Sequence, residues 1–295
     1  MKNLTFYIVD VFAERKYTGN QLAVVRGAKA LSSAEMQRIA KEMNYSETTF
    51  ILSDEKRDEG YDVRIFTPEK ELPFAGHPTL GTAFVIQHKI VKEQIEEIAL
   101  NLKVGRIPVT FIYDGKHVDI LWMKQLQPTF GESFEAESIS KILGLNVKEI
   151  NNEFEVQEVS TGVPFIIVPL KTLDALKRVR ISRDKYFKYI EDTEAKAILA
   201  FCPETYSEEN DLNVRVFADY YGVPEDPATG AANGCLAGYL VKYRYFGESR
   251  INIRVEQGYE VGRPSLLLLK AEDKGEKIDV HVGGKVLMIA EGELV

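Results

Sequence analysis

Three side chains offer acid–base chemistry at informative positions: Glu47, His77 and Asp226. His77 precedes Pro78 and Asp226 precedes Pro227, and proline is tolerated best at or near the first turn of a helix. The spacing therefore predicts that both residues sit at helix mouths. Such mouths carry backbone N–H groups without intrahelical partners and the positive end of the helix dipole, so two of them converging on one cleft suit a carboxylate or a developing oxyanion. Read alone, Asp226 serves equally well as a helix cap and His77 as an ordinary buried ring. Glu47 lies after a helix ending near Met43 and just before the strand pattern Thr48 to Leu52, between Ser46 and Thr48-Thr49, which can hold and tune it. A lone glutamate is ordinarily a solvated surface residue. What separates Glu47 from that reading is asymmetry: the corresponding stretch Ala197-Ile198-Leu199-Ala200-Phe201 opens on alanine. One carboxylate on one side of an anion-binding cleft points to a single principal base.

The asymmetry has meaning because the chain repeats itself. Thr18 to Val25 parallels Thr161 to Val168, Val63-Arg64-Ile65-Phe66 parallels Val214-Arg215-Val216-Phe217, and Ala75-Gly76-His77-Pro78 parallels Thr229-Gly230-Ala231-Ala232. The offsets drift slowly, 143, 151 and 154 residues from Thr18, Val63 and Gly76 to Thr161, Val214 and Gly230, as two diverged copies with loop insertions require. A period this long excludes a solenoid and indicates a duplicated domain facing itself across a cleft. In the first copy, strand patterns at Leu4 to Val11 and Leu22 to Val25 precede a helix. Ser32 and Glu35 form its capping box, and Met36, Ile39, Ala40 and Met43 its apolar stripe. Thr48 to Leu52 and Tyr61 to Thr67 read as a hairpin around the charged turn Asp54 to Gly60. Pro78 to Ile86 is apolar on every side, so as a helix it would be a buried one, and Ala231 to Leu240, poor in charge, is its partner. Short antiparallel strands around one central helix per half give an α+β architecture of two pseudo-symmetric domains, each a mostly antiparallel sheet or barrel. The first half is residues 1–125, with the C-terminal strand 284–295, and the second 126–283. The second half opens near Leu126-Gln127-Pro128-Thr129 and includes an amphipathic segment, Glu137 to Leu143, stopped by Gly144.

Bulk properties narrow the partners. With 295 residues and 45% hydrophobic content the chain can bury two ordinary cores. A net charge of −8 and a pI near 5.3 argue against a nucleic-acid surface. No apolar run is long enough to span a membrane, and the N-terminus enters a strand pattern without a signal-peptide layout, so a cytoplasmic location is expected. Cys202 and Cys235 read as buried thiols, and His77, His88, His117 and His281 lack zinc-ligand spacing. Neither a dinucleotide fingerprint nor a P-loop occurs, so no cofactor and no metal are expected.

Several motifs together resemble the phenazine-biosynthesis PhzF isomerase family. They are Asn44-Tyr45-Ser46-Glu47-Thr48-Thr49-Phe50, Glu71-Leu72-Pro73-Phe74-Ala75-Gly76-His77-Pro78-Thr79-Leu80-Gly81-Thr82-Ala83, and Gly222-Val223-Pro224-Glu225-Asp226-Pro227-Ala228-Thr229-Gly230, with Val9-Asp10-Val11-Phe12, Gly19-Asn20 and Ser160 to Phe165 in the same order. The resemblance implies the diaminopimelate epimerase-like fold and a glutamate proton-transfer base, carried over to Glu47, with His77 and Asp226 lining the site. Epimerases of this fold use two cysteines at the helix mouths. Here those positions are Ala75 and Thr229, so a two-thiol racemase mechanism is contradicted.

The expectation is a cofactor-independent isomerase that moves a proton within a small carboxylate-bearing substrate. Glu47 is the general base, and such a position favours a raised carboxyl pKa. His77 and Asp226 take substrate orientation or the second proton step. Asn20, Ser46, Ala75, Gly76, Thr229, Gly230 and Ala231 are the expected substrate-binding positions, with carboxylate binding assigned to the N–H groups around Gly76 and Gly230. Two other readings are an epimerase or racemase of a small amino or hydroxy acid, with His77 or Asp226 as opposing base, and a non-catalytic small-acid binder. Family resemblance adds a homodimer.

Overall fold

The computed structural model describes residues 4–295. Residues up to Lys124 with Gly283–Val295 form one compact unit, and Gln125–Val282 form the other.

The first unit runs β1 (Leu4–Val11), β2 (Asn20–Arg26), α1 (Ser33–Met43), β3 (Glu47–Ile51), β4 (Gly60–Phe66), β5 (Glu71–Leu72), α2 (Gly76–Ile86), β6 (Glu97–Leu102), β7 (Gly105–Asp114) and β8 (His117–Lys124). The C-terminal strand Val286–Leu294 pairs antiparallel with β1, and β1 with β2. Next come the parallel pair β2–β3, the antiparallel pair β3–β4, the parallel pair β4–β6 and the antiparallel pairs β6–β7 and β7–β8.

The second unit runs β9 (Thr129–Phe134), α3 (Ala136–Leu143), β10 (Val156–Ser160), β11 (Pro164–Pro169), α4 (Leu173–Arg178), α5 (Arg183–Ile190), β12 (Ala197–Cys202), β13 (Leu212–Ala218), β14 (Val223–Asp226), α6 (Gly230–Lys242), β15 (Arg250–Gln257) and β16 (Ser265–Asp273). Its ladder repeats the first: β9–β10 and β10–β11 are antiparallel, β11–β12 parallel, β12–β13 antiparallel, β13–β15 parallel and β15–β16 antiparallel. The three sequence repeats thus fall on equivalent elements, β2 with β11, β4 with β13, and the start of α2 with the start of α6.

Local chemistry explains the elements. The Ser32 hydroxyl accepts from the Glu35 N–H and the Glu35 carboxylate accepts from the Ser32 N–H, closing the capping box of α1, whose Met36 and Ala40 are buried. Gly144, in the left-handed region at φ 69°, ends α3. Every residue of α2 is buried, so the helix has no polar face to present. Gly81 lets it approach the sheet: a Cβ there would lie 2.6 Å from Leu22 Cδ2 and 2.9 Å from Val11 Cγ2. In α6, Gly230 and Ala232 to Val241 are all buried.

Candidate active site

In the first unit the site is built where β3 begins and α2 begins. Glu47 opens β3 opposite Leu22 of β2, and Ser46 stands just before it, half-buried. Ala75 is the N-cap of α2, Gly76 its first residue and His77 its second. Glu47 Oε2 lies 3.3 Å from His77 Nε2, with side chains 16% and 6% exposed. On the far side of the ring, His77 Nδ1 is 3.3 Å from Nδ2 of Asn20, the buried first residue of β2. Burial drives the His77 pKa down to about 3, and a hydrogen bond with the Gln21 backbone opposes only part of this. The dipole of α2 acts against an imidazolium in the same sense. The contact is therefore one between Glu47 and a neutral imidazole, not an ion pair.

The strand and helix that carry these two groups are tied together. Thr82 Oγ1 lies 2.6 Å from the Pro78 carbonyl and 2.8 Å from Thr49 Oγ1. With one proton per hydroxyl, Thr82 serves the carbonyl and Thr49 serves Thr82, linking α2 to the strand that starts at Glu47. The Ala75 side chain cannot cap α2, and Pro78 has no N–H, so the mouth offers the N–H groups of Gly76 and His77.

In the second unit, Thr229 is the N-cap of α6, and Gly230 and Ala231 are its first two residues; the Thr229 side chain makes no capping bond. Asp226 ends β14, and Pro227 lies two residues before the N-cap. Here the reading from proline spacing needs correction. Pro78 is inside the first turn of its helix, whereas Pro227 is outside, because the turn 226–229 inserts between strand and helix. Asp226 is accordingly no N-cap. Its carboxylate accepts the Thr229 hydroxyl.

Two groups of residues escaped sequence reasoning. The first is a repeated ion pair. Arg64 of β4 grips Glu71 of β5 through Nε at 2.7 Å and Nη2 at 2.6 Å, and Arg215 of β13 grips Glu225 of β14 at 2.8 and 2.7 Å. Both glutamates stand four residues before the N-cap of the central helix, so each pair anchors the segment leading to a mouth. The arginines lay in plain view in the Val-Arg-x-Phe repeat. The second is Gln257 with Asn233, fully buried amides that bond the 226–229 turn. Gln257 is 31 residues downstream of Asp226 and has no polar counterpart in the first copy, so no repeat marks it.

Cys202 and Cys235 are both buried, and burial pushes both thiols up to about 12. Among the described residues, no cluster of three or more His, Cys, Asp or Glu side chains could hold a metal ion, and no helix is long and apolar enough to cross a membrane.

The family model of phenazine biosynthesis-like proteins, PhzC-PhzF, matches residues 9–292. The chain belongs to the PhzC-PhzF family. It is 33% identical over 288 residues to the trans-2,3-dihydro-3-hydroxyanthranilate isomerase of Pseudomonas aeruginosa, covering 97% of this chain and 98% of that one. The crystal structure of the PhzF-family phenazine biosynthesis protein of Bacillus anthracis matches with a TM-score of 0.91 at 27% identity, covering 100% of both chains. A probable proline racemase from Agrobacterium radiobacter K84 matches with a TM-score of 0.65 at 8% identity over 99% and 93% of the chains, a likeness of fold alone. This PhzF-family protein therefore has the diaminopimelate epimerase-like α+β fold and is an enzyme of the isomerase class.

Proposed function

We propose that this PhzF-family isomerase moves a proton within a small carboxylate-bearing substrate, with Glu47 as the general base and no cofactor. The observation that carries the reading is the 3.3 Å approach of Glu47 Oε2 to His77 Nε2 at the start of α2. A carboxylate beside a neutral imidazole has no fixed cation against it, which suits a general base. The N–H groups of Gly76 and His77 receive the substrate carboxylate, and those of Gly230 and Ala231 are a second such set. Asp226 takes substrate orientation or the second proton step. Alanine and threonine at the two N-caps, and thiols held protonated elsewhere, support a carboxylate base over a thiol pair.

Solvent deuterium incorporation, followed by mass spectrometry across a panel of small amino and hydroxy acids that includes trans-2,3-dihydro-3-hydroxyanthranilate, tests the reading. Exchange at carbon with a shifted double bond supports an isomerase acting on that acid. Inversion of a stereocentre, seen by chiral chromatography, moves the chain to epimerase chemistry. Ligand-induced thermal stabilisation without exchange at any acid would make it a binding protein.

A further inference from the structure

The Gln257 amide uses all its hydrogen-bonding capacity on one turn. Its Oε1 accepts from the Thr229 N–H at 3.1 Å and from Asn233 Nδ2 at 2.9 Å. Its Nε2 donates to the Asp226 carbonyl at 2.7 Å and to Thr229 Oγ1 at 3.1 Å. A backbone donor on one side and a backbone acceptor on the other leave no freedom to exchange the two ends of the amide. Because Thr229 Oγ1 already accepts from Gln257, its single proton is directed to Asp226 Oδ2.

Gly258 keeps this arrangement rigid. At φ +80° it passes so close beneath the turn that a Cβ would meet the Pro227 carbonyl at 2.5 Å and the Arg263 carbonyl at 2.4 Å. Register places Leu102 of β6 where β15 has Gln257, since Asp62 pairs with Asn101 and Asn213 with Glu256 in the equivalent strand pairs.

We propose that Gln257 is a positioning residue: it turns the Thr229 hydroxyl onto the Asp226 carboxylate and so holds Asp226 in its ionised form. The inference rests on the reading of Asp226 as part of the acid–base machinery, and it concerns the state in which Asp226 enters the reaction. A hydrogen bond donated to a carboxylate favours its charged form, so losing the bond raises the titration midpoint. Charged groups on the packed elements include Arg215 of β13, Glu225 of β14, Arg254 and Glu256 of β15, Lys242 at the far end of α6, and Glu260 and Arg263 after β15. Arg215 is forked onto Glu225 and lies 3.9 Å from Glu260, which also accepts the Tyr206 hydroxyl. Glu256 accepts the backbone N–H groups of Tyr206 and Ser207.

The test is a carboxyl-¹³C NMR titration of Asp226 in the full chain, with the resonance assigned by Asp226→Asn. Thr229→Val removes the hydroxyl while leaving the Gln257 bonds to the backbone. Thr229→Ser keeps it, and Gln257→Glu draws it away from Asp226. The midpoint should rise by about one pH unit in Thr229→Val and Gln257→Glu and stay at the wild-type value in Thr229→Ser. The acidic limb of the exchange rate should move with it. A midpoint in Thr229→Val equal to wild type overturns the proposal. A raised midpoint combined with full turnover in Asp226→Asn supports the hydroxyl relay and removes Asp226 from the catalytic machinery instead.

Discussion

Glu47 and Ala197 occupy the same step of two equivalent ladders. Glu47 faces Leu22 on the parallel neighbour β2, and Ala197 faces Phe165 on the parallel neighbour β11, with Leu22 and Phe165 themselves matched by the repeat. The duplication therefore kept the scaffold of two central helices and put the strand-end carboxylate on one side only.

His77 should make stability depend on pH in a defined direction. Its folded pKa is depressed to about 3, below the unfolded value of 6.5. Above pH ~6.5 the ring is neutral in both states and costs nothing. As pH falls from about 6.5 toward 3 the unfolded chain takes up a proton that the folded chain refuses, and stability drops by up to about 1.4 kcal/mol per pH unit. Urea unfolding of wild type and His77→Gln between pH 7 and pH 4 checks this: the variant should lose that slope, and equal slopes would refute the neutral imidazole.

The repeated ion pairs should differ in cost. Arg215 and Glu225 have side chains 4% and 14% exposed, against 24% and 15% for Arg64 and Glu71. Removing one member of a buried pair strands the other, so Arg215→Met should cost about 3–5 kcal/mol in chemical denaturation and Arg64→Met less. The double change Arg215→Met, Glu225→Leu should recover part of the loss, since no charge is then stranded.

Thiol chemistry should be silent in the native state. Cys202 and Cys235 are buried with pKa values near 12, so a disulfide reagent at pH 8 should label neither until denaturant is added. Rapid labelling that abolishes turnover would reopen a thiol mechanism.

Much of this architecture was legible because it is periodic or repeated. The run Pro78 to Ile86 has no charged residue and, once helical, had to be buried, the Ser32–Glu35 pair matches a capping box, and three ordered repeats imply two like halves. The juxtaposition of Glu47 with His77 was legible only through the family motifs, since nothing in their spacing of 30 residues places the start of β3 against the start of α2. The 226–229 turn was hidden because a proline outside a helix looks in sequence like one inside it. Gln257 was hidden because amides bonded to backbone leave no pattern in composition or charge.

The most direct measurement compares wild type with Glu47→Gln for turnover and solvent deuterium incorporation on whichever acid the panel identifies, with circular dichroism to verify folding. The account predicts a folded variant in which exchange at carbon falls by about 10²–10⁴-fold or to background. Near wild-type exchange in Glu47→Gln would contradict it and pass the base role to another group.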